Sequence, residues 1–395
     1  MQFVPWYDIS LLYGDLCPTN LYFRTGIKQA YTFFLVNKKY IKVYLSGGGM
    51  VSKHRLAICI LILLLLLTAT CSCSSTEPAP LPKKDVPVAD IKVTEVVHSL
   101  VFLPLYTAIE LGYFRDEGLN VSLETAWDSN TGYTKLFNGE THLLLAGPEL
   151  SFYYLQQKKK QETIHLAQLI QKNGHMLVAR KAEEPFHWQK LKGKVVIGES
   201  AGSLPEMIFE QTLRKQNLKP LINVHIIQNL NYKTFTGTYR AGTGDYLLAM
   251  EPWASGLEKE NAGLVVSSAD DFPDALPYAT VMATPEYVKK HSALCQKFLN
   301  AYWRGLHWTN MHSPEELQAI AQKYFPQEKE STLLRGISRY KTLGLWPDTP
   351  LVSETGMEKI QKLMLESKEL NAKLNINGLI DNTFARKALD KYRTN

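Results

Sequence analysis

Residues 91–121 read IKVTEVVHSLVFLPLYTAIELGYFRDEGLNV, and three elements follow one another along this line. IKVTEVVHS has strand composition. LPLYTAIELGYF, with Pro104 near its start and Gly112 near its end, has the spacing and punctuation of a helix. LNV opens a second strand, LNVSLETAW, with alternating apolar positions. Working outward, TGYTKLFNG reads as a helix, HLLLAG as a strand, PELSFYYLQQKK as a helix and IHLAQLIQ as a strand. KVVIGE (strand), LPEMIFEQTLRKQ (helix), NVHIIQN (strand) and DYLLAMEP (strand turning into helix) extend the pattern. Alternation of this kind predicts an α/β fold of parallel-type sheets flanked by helices. After Pro277 one more strand-like run, PYATVMA, gives way to helices only. Thr284-Pro and Ser313-Pro are cap-plus-proline helix starts, and the aromatic stripe Phe298, Tyr302, Trp303, Trp308 and Tyr324 reads as core.

The 395 residues carry 44 Lys+Arg and 38 Asp+Glu. Seven of the bases and two of the acids fall in residues 1–73, leaving 37 against 36 in the body. A nearly neutral body removes the electrostatic case for nucleic-acid binding. From Met50, the basic trio Lys53, His54 and Arg55 precedes an apolar run from Leu56 to Thr70, a pattern expected of a secretory signal and short for a spanning helix. The run ends in TATCSCSS, which resembles a bacterial lipobox. The small residue Ser72 before Cys73 makes Cys73 the expected lipidated residue, with Cys71 the alternative and a plain transmembrane anchor the rival reading. Residues 1–49, ending in Ser46-Gly-Gly-Gly49, are expected to be an upstream extension from a misassigned start, against the rival of a genuine cytosolic extension. Residues 74–90 form a Pro-rich tether. In the body only Cys295 remains, on an apparent helix, and it reads as a buried small hydrophobe.

The segment Pro104–Val121 resembles the opening of substrate-binding proteins of ABC importers of the sulfonate, nitrate and thiamine-precursor type. Leu136–His142 is similar to a later step of that family, with His142 in place of the usual Asp. Leu191–Lys194 before a strand, Gly242–Asp245 followed by Met250-Glu-Pro252, and Leu276–Met282 continue the resemblance to about residue 312. It implies a two-lobed type-II periplasmic-binding fold with two hinge strands and extra C-terminal helices. Residues 91–178 and 276–395 are expected in the first lobe and 179–275 in the second.

The stretch KVVIGESAGS, Lys194–Ser203, contains Gly-x-Ser-x-Gly after a strand, the nucleophile-elbow pattern of α/β-hydrolases. Yet no glycine-bearing oxyanion segment follows His98 or His142. The histidines after Ser200 fall in strand- or helix-like runs, with none in the last 83 residues. The same turn serves binding equally well, because the start of a helix exposes backbone N–H groups; a plain helix cap is the third alternative. No catalytic residue is expected.

Ligand contacts are expected where strand ends of the two lobes face each other. These are Ser99 and Phe102, Trp127 and Asp128, and Gly147, Pro148 and Glu149 from the first lobe. From the second come Glu199, Ser200, Gly202 and Ser203, then Asn229 and Asn231, then Glu251. Glu149 could instead cap its own helix, and Glu206 reads as a first-turn acid. The acids together with Trp127 and Phe102, and the absence of clustered Arg, favour a neutral or cationic heteroaromatic ligand over an oxyanion. No metal site, phosphate loop, dinucleotide fingerprint or cofactor is readable. The expectation is a monomeric, lipid-anchored solute-binding protein on the extracytoplasmic face of the cell membrane, serving an ABC permease and its ATPase. The rivals are a secreted esterase using Ser200, an enzyme of the same fold like the eukaryotic thiamine-pyrimidine synthases, and a sensor or adhesion lipoprotein.

Overall fold

A computed structural model of the chain describes residues 32–37, 40–45, 88–157, 162–181, 185–268 and 275–392. The signal segment, Cys71, Cys73 and the tether up to residue 87 lie outside the described residues. Two compact units result, Met1–Lys83 and Lys84–Asn395. In the first, strands β1 (Thr32–Asn37) and β2 (Tyr40–Leu45) pair antiparallel with Thr32 opposite Leu45.

The second unit holds two five-stranded sheets. The first has the order β4-β3-β5-β12-β6, from β3 (Ala89–Glu95), β4 (Leu119–Thr125), β5 (Leu143–Ala146), β6 (Ile164–Ile170) and β12 (Ala279–Ala283). Strands β3, β4 and β5 run parallel, and β12 is antiparallel to both its neighbours. The runs LLLA of β5 and ATVMA of β12 are buried throughout, as strands covered on both faces must be. The second sheet has the order β11-β7-β10-β8-β9, from β7 (Met176–Ala179), β8 (Val195–Ile197), β9 (His225–Ile227), β10 (Tyr246–Ala249) and β11 (Leu264–Ser268). Here β8, β9 and β10 are parallel, while β7 is antiparallel to β10 and β11. The chain therefore crosses between sheets twice, after Ile170 and after Ser268.

Helix α1 (Leu103–Glu110) starts with Pro104 in its first turn and stops before Gly112, whose φ of +75° ends it; a single turn, α2 (Tyr113–Asp116), completes the link to β4. Next in the first lobe come α3 (Ser129–Phe137) and α4 (Glu149–Gln156), and in the second α5 (Leu204–Lys215), α6 (Phe235–Arg240) and α7 (Trp253–Lys259). His142 accepts the Lys92 N–H on its Nδ1 at 3.1 Å, so it caps a strand backbone as an Asp could. Beyond β12 lie α8 (Pro285–Lys290), α9 (Ser292–Met311), α10 (Pro314–Tyr324), α11 (Glu330–Leu343), α12 (Glu354–Glu366) and α13 (Thr383–Lys391). Thr284 and Ser313 cap α8 and α10 through their hydroxyls, Ser313 in a capping box with Glu316. Phe298 and Tyr302 are fully buried on α9, and burial pushes the thiol of Cys295 up to about 12, leaving an inert hydrophobe. Among the described residues no helix is long and apolar enough to cross a membrane.

Candidate functional site

A cavity of about 260 Å³ lies where the C-terminal ends of β4 and β5 face those of β8 and β9. The first lobe contributes Trp127, Asp128, Ser129, Asn130, Glu149 and Leu150. From the second come Glu199, Ser200, Gly202 and Ser203 of the turn before α5, then the loop Asn229–Tyr232 after β9. Parallel strands end here on both sides, so their loops converge on one space, as the crevice rule for open α/β sheets requires.

Trp127 holds a left-handed backbone, φ 70°, which is uncommon outside glycine. Asp128 fixes the turn by capping α3: its Oδ1 accepts the Thr131 N–H at 2.8 Å and its Oδ2 the Thr131 hydroxyl at 2.7 Å. Across the cleft, the Lys233 ammonium sits 5.4 Å from the centroid of the Trp127 ring. Glu149 opens α4, and only 3% of it is exposed. Among the described residues its Oε2 has no hydrogen-bond partner, and the same holds for the buried Oγ of Ser203 in the same lining. Burial pushes the Glu149 carboxyl up to about 7, against the backbone N–H groups of Glu149 itself and of Leu204, which favour the ionised form; the Glu199 charge adds to the rise.

Glu199 is fully engaged. Its Oε2 accepts the Tyr232 hydroxyl at 2.7 Å, and its Oε1 lies 2.8 Å from Nε2 of His175. Nδ1 of that imidazole lies 2.7 Å from Asn173 Oδ1. A buried chain thus runs from the cavity wall to the first crossing segment, 171–175. Behind it, Glu206 accepts the Glu199 N–H on Oε2 at 3.0 Å and the Gln228 amide on Oε1 at 2.9 Å. Gly202, at φ +74°, brings its carbonyl to the hydroxyl of Tyr153 from α4, which donates at 2.9 Å and so ties one lobe to the other. The same hydroxyl meets Glu369 Oε2 at 2.8 Å.

Of the contacts expected from sequence, Trp127, Asp128, Glu149, Glu199, Ser200, Gly202, Ser203, Asn229 and Asn231 share this cavity. Gly147 and Pro148 do not line it. Gly147 instead leaves room for the Glu149 carboxylate, with which a Cβ at that position would collide. Ser99, Phe102 and Glu251, expected from sequence among the contacts, lie outside this cavity. β10 stands beside β7 on the crossing side of its sheet, so its end reaches the end of β3 rather than the cavity. There the Glu251 carbonyl accepts the Ser99 hydroxyl at 2.6 Å and the Leu100 N–H at 3.0 Å. The Glu251 carboxylate pairs with Arg339 of α11 at 2.9 Å, and Phe102 is packed into the core. Ser129, Asn130, Leu150, Leu230 and Tyr232 line it as well and were not expected from sequence; each adjoins, directly or through one residue, an expected contact along the chain.

The arrangement lacks the parts of an ester hydrolase. Ser200 is exposed, and among the described hydrogen bonds none joins it to a histidine. His175, the imidazole nearest along this chain of contacts, has both ring nitrogens engaged by Asn173 and Glu199, leaving none to take a proton from serine. Among the described residues no group of three or more His, Cys, Asp or Glu is placed to hold a metal ion.

The family model described as NMT1/THI5 like matches residues 99–317, which span both lobes and the whole cavity. The chain belongs to the NMT1/THI5-like family. YtlA of Bacillus subtilis (strain 168), which carries the provisional name of a binding protein, is 33% identical over 77% of this chain and 91% of its own. Among solved structures, the alkanesulfonate-binding protein SsuA from Xanthomonas axonopodis pv. citri, bound to MOPS, superposes with a TM-score of 0.61 at 11% identity over 75% of this chain and 99% of its own. The desulfurization enzyme DSZB superposes with a TM-score of 0.56 at 15% identity over 77% and 100%. At such identities the likeness establishes the two-lobed periplasmic-binding fold, which hosts a binding protein in one case and an enzyme in the other.

Proposed function

We propose that this protein captures a small solute between its lobes and delivers it to an ABC permease and its ATPase. It acts as a monomer held on the extracytoplasmic face of the cell membrane by a lipid on Cys73, or on Cys71. The observation that carries the reading is the cavity itself: both lobes supply strand-end loops to one space, and Tyr153 on one side bonds Gly202 on the other. Closure of two lobes over a ligand changes the surface that a membrane partner meets, which is how such a fold signals occupancy. The engaged state of His175 and the exposed, unassisted Ser200 support binding without turnover.

Native mass spectrometry of the purified chain tests the reading. A stoichiometric small molecule is expected on the wild type and is expected to be lost from Trp127→Ala, while chromogenic esters are left unhydrolysed. A chain that carries no solute and shifts its melting point with none from a broad library would sink the proposal, as would ester turnover abolished by Ser200→Ala.

A further inference from the structure

The start of α5 has the makings of an oxyanion site. Leu204, its first residue, has no intrahelical acceptor for its backbone N–H, Gly202 keeps the turn free of side-chain bulk, and the helix dipole favours negative charge there. In this chain that place faces a carboxylate that the protein supplies from its other lobe. Glu149 is buried, it lines the cavity with Ser203, and the Leu204 N–H at the first turn of α5 favours its charged form. Among the described residues its Oε2 remains without a partner, as does the Ser203 hydroxyl. The other charged side chains lining the cavity, Asp128 and Glu199, are acids as well, and among the described residues no Lys, Arg or His lines it. The ammonium of Lys233 lies over the Trp127 ring instead.

Building on the solute-binding reading, we propose that Glu149 is a resident anion. It takes the place at the α5 N-terminus where an oxyanion would bind, and so converts the cleft into a site for an uncharged or cationic ligand that donates an N–H or O–H to Glu149 Oε2. A sulfonate or nitrate entering beside it would bring a second negative charge against a buried carboxylate, where repulsion is screened less than in water. A ligand that donates to Oε2 satisfies an acceptor that is otherwise left buried and unmade.

The test is isothermal titration of the full chain at pH 8, above the value of about 7 to which burial raises the carboxyl, with ethanesulfonate and with 4-aminopyrimidine. Glu149→Gln and Glu149→Ala are each expected to bind ethanesulfonate at least tenfold more tightly than the wild type. Glu149→Gln is also expected to bind 4-aminopyrimidine at least tenfold more weakly. Gln keeps the size of the side chain, so it decides the matter if Ala does not fold, with far-ultraviolet circular dichroism confirming the fold of each variant. Ethanesulfonate binding by the wild type as tight as that of folded Glu149→Gln, including no binding by either, overturns the proposal. The co-purified solute described above reads solute binding separately, so the two readings fail on different observations.

Discussion

Glu206 shows how far a local rule reaches. From sequence it is an acid in the first turn of a helix, and it does occupy that place in α5. What sequence spacing does not convey is that β8 and the loop after β9 close over it, so that it accepts from Glu199 N–H and Gln228 and is only 1% exposed. Burial pushes its carboxyl from 4.5 to about 8. The folded chain therefore keeps a proton that the unfolded chain releases, and stability from this group falls as pH rises from about 4.5 through about 8. Glu206→Gln, which stays uncharged, is expected to gain in melting temperature over the wild type between pH 5 and pH 9, by roughly 2–4 °C per kcal/mol recovered. A difference in melting temperature that stays flat with pH would contradict this. Glu149 adds to the same slope in the wild type and is unaffected by that substitution.

At the scale of elements, the turn from β8 into α5 was legible because strand, small residues and helix follow one another in KVVIGESAGSLPEM, and the pattern alone requires a tight turn there. Gly202 carries the cost of that turn at φ +74°, and a Cβ added to it would sit 2.7 Å from the Tyr153 hydroxyl. Gly202→Ala is expected to cost about 1–2 kcal/mol in urea denaturation and to weaken retention of the solute, because the added methyl pushes on the bond between the lobes. Gly237→Ala in α6, with open space around its Cβ, is expected to be neutral or mildly stabilising. Equal losses in the two would show that the turn is not special. Strands β7 and β11 were not read from sequence for opposite reasons. β7 has four buried residues and no alternation, whereas β11 is an edge strand whose pattern is half-exposed throughout. Neither offers the period that marks a strand.

For the molecule as a whole, the family segment Pro104–Val121 made the two-lobed architecture legible, and the strand-end rule found most of the cavity. It misplaced Glu251 because the partner of that side chain, Arg339, lies 88 residues away on a helix that the rule does not consider. Arg339 also bonds Glu258 at 2.6 Å and Ser255 at 3.0 Å, and Tyr340 beside it accepts the Glu251 N–H at 2.7 Å while donating to the Gly174 carbonyl at 2.9 Å. Helix α11 thus holds the end of β10, the first crossing segment and the end of β3 in one cluster. Arg339→Met would leave Glu251 buried without its counter-charge, and a loss of about 3 kcal/mol in urea denaturation is expected. A loss below about 1 kcal/mol would place the pair among the weak surface bridges instead.

Strand β12 also sets the order in which the lobes are completed. It fits between β5 and β6 although all the strands of the second sheet separate it from them along the chain. On a polypeptide made from its N-terminus, the second sheet has all its strands once residue 268 is out, whereas the first has a gap in its interior until residue 283 follows. The lobe that begins first is therefore the one that finishes last, and until then its β5 and β6 edges stay open to wrong partners.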